Sequence, residues 1–203
     1  MALVTKNNPV GVDYWIQNLQ SQMYSYLTTV WGLDDSQYCC YGRAYKIQEK
    51  DGFTPKVFVG KANGEEYVTS LLNDTIPALS FFYVGDTTRV NFQGQNEANL
   101  SVIFFVNLAK VKPMSVYSDV YGSTYQVPTT QRNDEEVHLD AWTTLYERWG
   151  FRPNAIHTGQ MVFKDFQSMR TKKQSDYRDM QPWHYFRIEG TLTYENIALP
   201  NCY

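Results

Sequence analysis

Cysteine, histidine and net positive charge are scarce in this 203-residue chain, and each scarcity removes a class of function. Of the three cysteines, two are the neighbours Cys39 and Cys40. Adjacent cysteines bridge only with strain and the third is left over, so all three read as thiols. The histidines, His138, His157 and His184, are far apart, with no H-x-x-x-H or C-x-x-C spacing in the chain, so no zinc site is readable. Eighteen Lys and Arg against 21 Asp and Glu leave a formal charge of -3. A general nucleic-acid binder is normally basic, so any contact with DNA has to be local. Long apolar runs are missing too, and the opening MALVTKNNPVGVDYW lacks a signal-peptide pattern. The expectation is a protein made in a cytoplasm, with no membrane partner.

What is abundant is aromatic residues, at 16% with sixteen tyrosines. Tyrosine is amphipathic and favoured at contact surfaces, so the excess points to surfaces that meet something as much as to an aromatic core. Apolar residues at 43% and charged residues at 19% are a globular composition, and the length suits one domain with a sizeable core.

In DYWIQNLQSQMYSYLTTVW, Ile16, Leu19, Met23, Leu27 and Val30 fall at helical spacing, with Asp13 as cap and Gly32 as stop. Residues 1–12 read as a polar arm. RAYKIQEKDGFTPKVFVG and IPALSFFYVGDTTRVNF read as hairpins turning at Asp51-Gly52 and Gly85-Asp86. NLSVIFFVNLAKV is apolar on both faces, as in a central strand covered by a helix on one side and a subunit on the other. A second helix is expected from about Asn133, with Val137, Ala141, Leu145 and Trp149 on one stripe and Gly150 at its end. FRIEGTLTYE alternates, placing Phe186, Ile188, Leu192 and Tyr194 on one face and Arg187, Glu189, Thr191, Thr193 and Glu195 on the other. The fold class is therefore α+β, a mainly antiparallel sheet packed with two amphipathic helices, in one domain. The core spans 13–195, with long loops at 110–132 and 156–182 and an arm at 196–203. Loops of that length are usually functional or disordered, which suggests a protein finished by its neighbours.

Signals for chemistry are thin. Cys39 or Cys40 with His157 or His184 is a conceivable nucleophile and base, but no local signature surrounds them. GKANGEEY lacks the second glycine at the spacing of a phosphate loop, and the GK[ST] ending. Glu65-Glu66 and Glu135-Glu136 are better explained by capping and solvation than by acid-base work. The expectation is no enzyme and no cofactor. The one charged feature is KDFQSMRTKKQSDYRD, with Lys164, Arg170, Lys172, Lys173 and Arg178. It is either a solvated loop or a contact with phosphate or an acidic partner.

The order of helix (DYWIQNLQSQMYSYLTTVW), strands through NLSVIFFVNLAKV, helix (DEEVHLDAWTTLYERWG) and closing strand (HYFRIEGTLTYE) resembles the tail-terminator and neck-adaptor proteins of tailed bacteriophages. The Asn-rich and Tyr-rich style is similar to ring proteins of crAss-like phages of gut Bacteroidetes. The loops at 110–132 and 156–182 are longer than in a minimal terminator. The resemblance implies a structural virion protein assembled in the host cytoplasm, forming a ring in the neck between portal and tail with a channel for DNA. A dodecamer is the first expectation and a hexamer the second. It makes Lys164, Arg170, Lys172, Lys173 and Arg178 candidate contacts for DNA or a partner. Tyr117, Tyr121, Tyr125, Asn196, Ile197, Leu199 and Tyr203 become candidate contacts between subunits. Two other classes stay open: a carbohydrate-binding module using Trp183, and an enzyme with a pocket near Tyr117, Tyr121 and Tyr125.

Overall fold

Helix α1 runs from Val12 to Trp31 because its apolar residues recur every three or four positions, and it buries Ile16, Leu19, Met23, Leu27 and Trp31. Gly32 ends it in the left-handed conformation (φ 63°), its N–H returned to the carbonyls of Thr28 and Thr29. The expected cap is corrected: Gly11, at φ 55°, precedes the helix, and no side chain caps it. Asp13 lies inside the first turn and takes the Lys6 ammonium at 2.6 Å. The computed structural model describes residues 3–50, 52–58, 67–69, 76–111, 114–118, 124–128, 134–166 and 182–195.

The described residues form ten strands in chain order: β1 Leu3–Val4, β2 Tyr38–Glu49, β3 Gly52–Phe58, β4 Tyr67–Thr69, β5 Ala78–Val90, β6 Asn96–Asn107, β7 Met114–Ser118, β8 Thr124–Pro128, β9 Phe151–Thr158 and β10 Trp183–Tyr194. Eight form one sheet in the order β4-β3-β2-β5-β6-β10-β9, with β1 added to β2; β7 and β8 form a separate ribbon. The sheet is mostly antiparallel, and the pairs β1·β2 and β2·β5 are parallel. Helix α2 spans Asp134–Leu145 and buries Val137, Ala141 and Leu145.

Four expectations are revised. The arm is not free throughout, since Leu3 and Val4 pair with Cys40 and Tyr41. Gly85-Asp86 is no hairpin turn: β5 continues through it, and the register with β6 slips between Val84 and Thr88, a bulge in place of a reversal. The reversal is at Asn91–Gln95, where Asn91 Oδ1 accepts from the N–H groups of Gln93 (2.9 Å) and Gln95 (3.0 Å). Trp149 leaves the α2 stripe, because the helix ends at Leu145; it is 43% exposed at φ 48° and meets Trp15 edge to face. Residues 151–158 are a strand that Pro153 disguises; as β9 lies at the end of the sheet, an edge position tolerates that proline.

Two cores result, one on each face. On the helix side, Phe186, Ile188, Leu192 and Tyr194 of β10 join Leu100, Val102 and Phe104 of β6 beneath α1 and α2, with Phe104 and Phe186 stacked at 4.6 Å. On the other side, Phe81, Ile103, Phe105 and Tyr185 are covered by Val162, Phe163 and Phe166, which follow a 3₁₀ turn at Gly159–Met161. The second face of β6 is thus covered by its own chain, where a neighbouring subunit was expected.

Candidate functional site

Beside that second core the sheet carries a charged cleft. Strand register assembles it: Glu189 of β10 faces Ser101 of β6, and Ser101 faces Tyr83 of β5. On the other side Arg187 faces His157 of β9. The β9·β10 register shifts between Glu189 and Gly190, leaving Asn154 as the extra residue on β9, and Asn154 lines the cleft. The chain after the 3₁₀ turn then lays Lys164 and Asp165 across the top. The cavity they enclose is about 300 Å³, at the small end of ligand-sized pockets.

Arg187 is the centre, and only 2% of it is exposed. Its Nη1 donates to Asp165 Oδ2 at 2.6 Å, and its Nη2 donates to Ser101 Oγ at 2.8 Å and lies 2.7 Å from Glu189 Oε1. Glu189 also receives Lys164 Nζ at 2.6 Å and His157 Nε2 at 2.8 Å. At the rim Lys46 Nζ lies 3.0 Å from Asp86 Oδ2 and 5.1 Å above the Tyr83 ring. Three fixed cations, Lys46, Lys164 and Arg187, therefore stand against Asp86, Asp165 and Glu189. Such a balance suits neutral or zwitterionic polar groups, not a polyanion.

Burial works to raise the Glu189 pKa, but Lys164, Arg187 and His157 outweigh it and hold the carboxyl below 4.5. The unfolded chain then takes up this proton first. The stabilisation is complete above 4.5 and is lost as the pH falls through the lowered value. Glu189→Gln is accordingly expected to melt below the wild-type chain near neutral pH and to approach it well below pH 4.5. An equal gap at both pH values would remove the ion-pair role.

Of the sequence candidates, Lys164 joins this cluster, its ammonium matched by Glu189. Tyr117 and Tyr125 stand opposite each other in the β7·β8 ribbon. Arg170, Lys172, Lys173, Arg178, Tyr121, Asn196, Ile197, Leu199 and Tyr203 lie outside the described residues, as do Glu65 and Glu66. Trp183 opens β10 and packs, half-buried, against the second core, which leaves less of its ring for stacking on a sugar. The conceivable cysteine dyads are not assembled: His157 pairs with Glu189, His184 with His138 at 2.8 Å, and Cys40 with Ser80 at 3.4 Å. Burial pushes the Cys40 thiol up to about 12, so it stays protonated at neutral pH.

Sequence reasoning missed the site as a site. The signal was present in Arg187-x-Glu189 on one strand face, but alternation alone does not say what meets that face. Among the described residues no group of three or more His, Cys, Asp or Glu is placed to hold a metal, and no helix is long and apolar enough to cross a membrane. No protein-family model, curated protein or solved structure matches this chain.

Proposed function

We propose that the chain is a non-enzymatic structural subunit of a tailed-phage neck that closes head to tail into a ring between portal and tail, leaving a passage for DNA. Its assembly role rests on one observation. Phe92, at the tip of the β5–β6 hairpin, is 96% exposed, and β5 is exposed from Asp86 to Val90. The tip is not slack: Asn91 binds Gln93 and Gln95, Gly94 N–H returns to the Asn91 carbonyl at 3.0 Å, and Gly94 takes φ 78°. A stiff turn that holds an aromatic ring in water is a preorganised contact, since little freedom is lost when it docks. Rings form from such heterologous contacts when the rotation closes. The place in a virion rests on the resemblance in element order, and the cations Arg170 to Arg178 are its candidate DNA contacts.

The purified chain is expected to form a closed ring of discrete mass, alone or on addition of a portal protein, with twelve copies the first expectation. Phe92→Ser is expected to weaken that association about tenfold or more while leaving the melting temperature of the unassembled chain unchanged. A wild-type chain that stays monomeric at every concentration and ignores portal protein would sink the proposal.

A further inference from the structure

On the helix side of the sheet, away from the charged cleft, a second polar cluster encloses a small cavity where the amino-terminal arm meets α1 and β2. Its volume is about 20 Å³. Lys6 comes from the arm, Asp13, Gln17 and Gln20 from α1, and Arg43 and Tyr45 from β2. Asp13 is 7% exposed and Gln20 1%.

The hydrogen bonds around it leave two acceptors unmatched. Gln20 Nε2 donates to the carbonyls of Val4 (2.8 Å) and Cys40 (2.7 Å), which uses both its hydrogens. Those two carbonyls also fix the amide orientation, because flipping it would set oxygen against oxygen. Gln20 Oε1 is then buried with no hydrogen-bond partner, and so is Asp13 Oδ1. Lys6 Nζ and the Tyr45 hydroxyl go to the other oxygen, Asp13 Oδ2, at 2.6 and 3.4 Å. Arg43 Nη1 stands 3.5 Å from Oδ1, an ion pair without hydrogen-bond geometry. A buried acceptor left unmade is costly, and two of them line one cavity.

We infer that this cavity is a binding site for a single water molecule, which donates one hydrogen to Asp13 Oδ1 and the other to Gln20 Oε1. The volume admits one water and nothing larger. Charge decides against a metal or ammonium ion: Asp13 already faces the Lys6 ammonium and the Arg43 guanidinium, so a third cation would be repelled. The water completes a latch, because the same Gln20 and Asp13 hold the arm through Val4 and Lys6. Docking of the arm and hydration of the cavity are one event.

Gly42 supplies the test. It lines the cavity, and a Cβ added there would stand 3.5 Å from Gln20 Oε1, an ordinary contact at a backbone conformation open to alanine. In a dry cavity Gly42→Ala fills space and stiffens the unfolded chain, so the melting temperature holds or rises. If the site holds water, the methyl displaces it and strands both acceptors; the melting temperature is expected to fall by about 2–4 °C. An unchanged or raised value overturns the inference. On the wild-type chain, a rotating-frame Overhauser peak from the Gln20 side-chain amide protons to the water resonance, opposite in sign to exchange, is expected. Its absence overturns the inference whatever the variant does. A saturable rise in melting temperature with potassium but not with choline overturns water in favour of a cation.

Discussion

Arg187→Met is expected to cost about 3 kcal/mol, read as a fall of about 6–12 °C in melting temperature. Methionine keeps the unbranched stem but ends where the guanidinium begins, so it brings neither charge nor donor. In the variant Asp165 and Glu189 lose the guanidinium that binds both, and the Ser101 hydroxyl and the Val162 carbonyl lose a donor. The two carboxylates are about a fifth exposed, at 23% and 21%, so water relieves part of the penalty and the lower end of the range for a broken buried pair applies. Arg187→Lys keeps the charge but loses the fork that reaches Asp165 and Glu189 together, and falls between the two. Adding Glu189→Leu to Arg187→Met is expected to recover part of the loss, since it removes one of the two carboxylates left without the guanidinium, while Lys164, 35% exposed, turns to water. A double variant as unstable as the sum of the singles would show that Arg187 acts by packing alone.

Gly190→Ala is expected to be at least as damaging, at about 4 kcal/mol, which is rare for the addition of one methyl. The glycine sits where the β9·β10 register shifts, and a Cβ there would overlap the Arg152 carbonyl oxygen and stand 2.7 Å from Pro153 Cα. Both are backbone, so no side-chain rotation clears them. β9 has to move away from β10, and the pairing that positions His157 and Asn154 at the cleft goes with it. Urea unfolding gives the loss, and hydrogen exchange should show it concentrated in the β9 amides. Stability within about 0.5 kcal/mol of the wild-type chain would mean that β9 shifts freely.

These two residues also show where sequence reading succeeds and where it stops. The helix over Val12–Trp31 and the two-sided burial of β6 are local patterns, decided by the spacing of apolar residues along one segment. So is the inward face of β10, where Phe186, Ile188, Leu192 and Tyr194 all reach the helix-side core. Arg187 and Glu189 were legible as neighbours on the opposite face. What covers that face was not, because Val162, Phe163 and Phe166 return to it from beyond a turn. Charge pattern along the chain also does not show that Lys164, the first cation of a basic run, pairs with Glu189. Trp149 fits a helical stripe in sequence, but periodicity does not say that α2 stops at Leu145. The Val84–Thr88 bulge shares its Gly-Asp composition with a hairpin turn, and only the pairing with β6 distinguishes them.

The position of β10 has a consequence for how the chain is made. Its residues 183–194 are synthesised after β6 and β9, yet the strand lies between them, paired with both. Until it emerges from the ribosome, β6 has an unfilled edge along nearly its whole length, and β9 has no strand to join. Pairings this distant in sequence form slowly, and the half-finished sheet exposes apolar surface while it waits. The sheet therefore closes only once Trp183–Tyr194 is available, and a nascent chain stalled before Trp183 leaves β9 without its strand partner.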